Sequence, residues 1–90
     1  MGNRPSREEL IRLRLLAQAS ARLIRRRDGL SQLELARLVN TSQQVISLAE
    51  RAQPRAPVRV LRELIAGAGV ILVQDQQRTA QPAAAETPSP

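Results

Sequence analysis

The chain has 90 residues and a formal net charge of +6, from 14 basic and 8 acidic side chains. Every basic residue is Arg; Lys, His, Cys and aromatic residues are absent. That length suits one small domain. The absences remove disulfides, thiolate metal sites, the commonest general base, Schiff-base chemistry and aromatic stacking platforms. No cofactor, metal or small-molecule ligand is expected, and no enzyme. The positive balance points to a polyanionic partner, with nucleic acid ahead of a membrane surface. No stretch approaches the ~18 continuous apolar residues of a membrane span, and no signal-peptide pattern is present. The expected location is cytoplasmic.

The predicted organisation has three parts. Residues 1–5 form a flexible N-terminus, 6–78 the folded domain, and 79–90 a disordered tail. The tail holds three of the six prolines and no large apolar residue, too little to order itself. The aliphatic core of the folded domain predicts thin packing, which burial across a subunit interface would reinforce.

In chain order, Ser6 and Glu9 read as a capping box opening a long helix over 6–28. Leu13, Leu16, Ala17, Leu23 and Ile24 share its apolar stripe. Gly29 ends it, where a left-handed backbone suits Gly. A break near Gln18, with Ser20 starting another helix, stays open. Arg12, Arg14 and Arg22 read as a solvated face, and Arg25–Arg27 as a complement to the helix dipole. The apolar segment 10–17 reads as core or as a dimer or partner surface.

Ser31 and Glu34 repeat the capping box for a second helix ending near Val39, with Leu35, Ala36 and Val39 inward. Asn40 and Thr41 are turn residues. Ser42 caps a third helix from Gln43 to about Glu50, with Val45, Ile46 and Ala49 apolar. So short a connection is that of a helix-turn-helix. Pro54 and Pro57 break the chain, and Pro57 opens a fourth helix to about Ala66. Gly67 and Gly69 are expected to end it. Val70–Val73 then reads as a short strand over 70–74, for dimerisation or packing. The predicted fold is all-α: a compact four- to five-helix bundle with a helix-turn-helix and one short C-terminal strand.

The stretch from Gly29 to Glu50 carries the functional signal. Gly-Leu-Ser-Gln at 29–32, Glu-Leu-Ala at 34–36, Ser42 as cap, Ile46-Ser47 and Glu50 resemble the lambdoid phage repressor and Cro family, also called Xre-like. The resemblance spans about 21–69. It implies a DNA-binding helix-turn-helix domain, with Gln32 on the DNA backbone and Arg25 and Glu50 as a partly buried ion pair. Where that family carries Gly two positions after the Glu, this chain has Ala52.

The physics runs the same way. A major groove about 12 Å wide admits one helix, whose first residues reach the base edges. Gln43 and Gln44 sit there, and Gln pairs with adenine through two hydrogen bonds. Ser47 and Leu48 lie one turn on, Leu48 suited to a thymine methyl. Ser42, Arg51 and Arg55 are phosphate candidates, with Arg37 and Arg27 behind them. Two such helices, ~34 Å apart in a homodimer, would read a near-palindromic operator. The leading expectation is therefore a cytoplasmic homodimeric repressor of double-stranded DNA. The alternative is an antitoxin-like or accessory repressor that also binds a protein partner through its apolar end segments. An Arg-rich helix lying on a membrane lacks the aromatic anchors it would need.

Overall fold

Short-range capping sets the first three helices. The computed structural model describes the backbone of residues 4–86 and the side chains of residues 4–78. Its helices are α1 (Arg7–Asp28), α2 (Gln32–Leu38), α3 (Gln43–Glu50) and α4 (Val58–Glu86). They make an all-helical bundle. Residues 1–3 of the expected flexible N-terminus, and 87–90 of the expected tail, lie outside the described residues.

At α1 the Ser6 hydroxyl accepts from the Glu9 N–H, while the Glu9 carboxylate accepts from the Ser6 N–H at 2.8 Å. Ser31 and Glu34 do the same at α2. The backbone N–H of Ser6 and of Ser31 holds its Glu partner below the usual carboxylate pKa range. Ser42 alone caps α3, accepting from the Val45 N–H.

The helix ends also follow local rules. Gly29 closes α1 at φ 65°. After α2, Asn40 takes φ 54° and the Thr41 N–H returns to the Ala36 carbonyl. After α3, Ala52 takes φ 54° and the Gln53 N–H returns to the Leu48 carbonyl. Both satisfy carbonyls that a helix end leaves open.

α1 is continuous through Gln18, so the break considered there does not occur. Ser20 is buried inside the helix rather than capping one. Leu16, expected on the inward stripe, is 54% exposed. The buried face runs through Ala17, Ser20, Ala21 and Ile24, and Leu16 lies about 100° round the helix from Ala17.

The main departure is α4. No strand occurs among the described residues, and 70–74 is helical. Gly67 and Gly69 do not end the helix, and the backbone stays helical through eight residues of the expected tail, to Glu86. The reason is packing. Val60, Leu61, Leu64, Ala68 and Ile71 recur at helical spacing and are buried. An ideal Cβ on Gly67 would sit 3.4 Å from the Ile24 methyl, so the glycine lies against α1. Two helix glycines cost about 1–2 kcal/mol together. Burying Leu64 and Ile71 returns about 1.5–3 kcal/mol each. A lone strand would leave its backbone groups unpaired.

α4 runs alongside α1 in the same direction. Arg12 and Arg62 line one depression near the two starts, and Arg27 meets Asp75 at 2.9 Å beyond. α2 and α3 close the remaining side, contributing Leu35, Ala36, Ile46 and Ala49 to the core. Large apolar side chains stay exposed on α1 (Ile11, Leu15, Leu16), α2 (Leu33, Leu38) and α4 (Val70, Leu72, Val73).

Candidate nucleic-acid interface

α3 is held from behind by Ile46 and Ala49, both fully buried. The outer side follows from helical spacing. Gln44, Ser47, Leu48 and Arg51 lie at i, i+3, i+4 and i+7, so they share one face. With Arg55, from the loop before α4, they line a depression of about 310 Å³. Five of the expected DNA contacts are thus brought together. Gln44, Arg51 and Arg55 are exposed; Ser47 and Leu48 are half-buried, and Leu48 also leans on the core. The Arg51 Nε donates to the Ser47 carbonyl at 3.3 Å, which lays its side chain back along α3.

Gln43 is exposed at the same helix start but does not line that depression. One residue is about 100° of helix, so the two carboxamides face different ways. Ser42 is exposed, its hydroxyl engaged in the cap. Arg37 is exposed in the last turn of α2.

Behind the face, Glu50 gathers three helices. Glu50 is only 8% exposed as a residue. The Arg25 Nη1 donates to both oxygens of the Glu50 carboxylate, at 2.9 and 2.8 Å, and the Arg25 Nε donates to the Leu30 carbonyl. Gln32 donates its amide to Glu50 Oε1 at 2.8 Å. The Glu50 backbone carbonyl accepts from the Gln18 amide at 2.7 Å, and from Arg22 at 3.5 Å. A buried carboxylate needs this company, because a charge out of water is stable only when paired and hydrogen-bonded. This cluster fixes the end of α3 against α1 and α2.

Two expected phosphate ligands already hold partners within the chain. Arg27 pairs with Asp75, because α4 continues far enough to deliver that carboxylate. Gln32 points its amide nitrogen inward to Glu50.

Three residues were missed as parts of the frame. Gln18 and Arg22 reach the last carbonyl of α3; with Arg25 they form a polar i, i+4, i+7 row on α1, which was the available signal. Arg59 donates to the carbonyls of Val39 and Asn40, at 3.4 and 3.2 Å, and pairs with Glu63 at 3.0 Å. It ties the start of α4 to the α2–α3 turn, and nothing in the sequence pattern marks it.

Among the described residues, no three or more acidic side chains gather as a metal site. No helix is long and apolar enough to cross a membrane. No family model, curated protein or solved structure matches this chain.

Proposed function

We propose that this chain is a sequence-specific binder of double-stranded DNA, a transcriptional repressor of the phage repressor and Cro type that acts as a homodimer. The observation that carries the reading is the outer face of α3. It presents Gln44, Ser47 and Leu48 for base edges, beside Arg51 and Arg55 for phosphates. A helix with side chains is about 10–12 Å across, the width of the major groove. Gln43 serves as a second reader on the adjoining flank. Ser42 and Arg37 are further phosphate contacts. The net charge of +6 favours the same partner.

Selection of bound duplexes from a random pool tests this, together with the mass of the protein in solution. A palindromic consensus and a dimer mass are expected. Gln44→Ala should weaken operator binding by about 5- to 150-fold, the equivalent of ~1–3 kcal/mol for one base contact, and spare random DNA. Arg51→Ala should weaken both and flatten the salt slope by about one unit. Equal losses on operator and random DNA for Gln44→Ala would count against base reading.

The exposed Ile11, Leu15 and Leu16 of α1 favour a second reading, in which an accessory protein docks on the apolar N-terminal half of that helix. A stoichiometric partner that is lost on Leu15→Glu would support it.

A further inference from the structure

A second depression, of about 470 Å³, adjoins the end of α3 at Glu50 and shares no lining residue with the first. Arg22, Arg25, Arg26, Gly29, Leu30 and Glu50 line it. Three guanidiniums face one carboxylate there. That carboxylate is already engaged by Arg25 through both oxygens. Among the described residues, neither Arg22 nor Arg26 forms a salt bridge, and both are exposed. Arg22 and Arg26 are four residues apart and Arg22 and Arg25 three, so like charges sit side by side on α1. Arg22 reaches the Glu50 carbonyl only at 3.5 Å, at the outer limit of a hydrogen bond. These two side chains are cationic, adjacent and uncompensated, on a surface held in place by Arg25.

We propose that this depression is a phosphate seat in which Arg22 and Arg26 grip the DNA backbone, while Arg25 holds the frame. The inference rests on the DNA-binding reading and enlarges its footprint. A helix lying in the major groove is bordered by phosphates on both sides. Arg51 and Arg55 lie beside the outer face of α3, and the α1 arginines add cations at the Glu50 end of the same helix. Planar guanidiniums suit the oxygens of a phosphate.

The test is the salt dependence of binding to a random-sequence duplex, because phosphate contacts are blind to sequence. Arg22→Ala with Arg26→Ala is compared with Arg12→Ala with Arg62→Ala, which removes the same charge from another face. Thermal melting checks that both variants fold. Each lost contact lowers the slope of log K against log salt by about 0.9. The α1 pair should therefore lose about 1.8 in slope, or about 30-fold in affinity near 0.15 M salt, with sequence ranking unchanged. The control pair should lose far less. An unchanged slope, or equal losses in the two pairs, overturns the seat.

Should the wild-type protein bind no duplex, the DNA reading fails. Inorganic phosphate then decides the seat alone. Amide signals of Gly29 and Leu30 that move with phosphate in the wild type, but not in the α1 pair, keep it as a site for free phosphate. No movement removes it.

Discussion

Residues 29–50 and residues 64–73 respond to the same residue types in opposite ways. In the first stretch a glycine ends a helix: Gly29 sits at φ 65°, and Ser31 begins the next element two residues on. In the second, Gly67 and Gly69 lie inside α4 and end nothing. The difference lies in what surrounds each glycine. Gly29 is followed by a ready cap and is exposed. Gly67 is followed by Ala68 and Ile71, at the spacing that carries the buried stripe forward, with Ile24 packed over it. A stop signal acts where the chain gains by turning. It is overridden where continuing buries more surface than the glycine costs.

The contrast can be broken most directly at the end of the second stretch. As a helix, it puts Ile71 inward and Val73 outward; as a strand, residues two apart share a face. Ile71→Ala should destabilise the protein by about 2 kcal/mol, and Val73→Ala by less than about 0.5 kcal/mol. Equal losses in denaturant titrations would restore the strand.

A smaller effect separates the glycines themselves. Gly29→Ala should cost about 1 kcal/mol, because an L side chain resists that backbone conformation. Gly69→Ala meets open space and should stabilise by about 0.5–1 kcal/mol. Melting temperatures moving in opposite directions would sharpen the comparison; a loss at both positions would end it.

The smallest effect concerns the caps that punctuate the first three helices. Glu9 and Glu34 are held below the usual glutamate range by the N–H groups of Ser6 and Ser31. A carboxyl whose pKa is depressed on folding adds stability above its ordinary value of about 4.3, and that stability fades as pH falls through the folded value. The melting temperature should therefore drop with acid below that range. Glu9→Gln with Glu34→Gln keeps an acceptor and removes the titration, so its profile should be flatter there. An identical profile would mean that the boxes contribute nothing measurable.

Much of the candidate site was legible. The bounds of α3 follow from Ser42, and its outer face from the spacing of Gln44, Ser47, Leu48 and Arg51. The ion pair of Arg25 and Glu50 followed only from the resemblance. Its company did not: Gln18, Arg22 and Gln32 converge on Glu50 from α1 and α2, and no spacing within one helix shows which residue of another it meets. The pairing of Arg27 with Asp75 was hidden for the same reason, since it depends on the length of α4. Leu16 fits an apolar stripe on paper, but the face that α1 buries runs through Ala17, Ser20, Ala21 and Ile24 and leaves it outside.

Local residue patterns marked the three capped starts, the closures at Gly29 and Asn40, and the extent of α2 and α3; the continuity of α1 through Gln18 they left open. The caps and closures are hydrogen bonds between atoms three to five residues apart, so their donors and acceptors can be read along the chain. The course of α4, the inward turn of Gln32, the pairing of Arg27 and the exposure of two arginines beside Glu50 came from packing between helices. Each of these depends on which surface lies opposite, and burial and charge pairing act across the fold rather than along the chain.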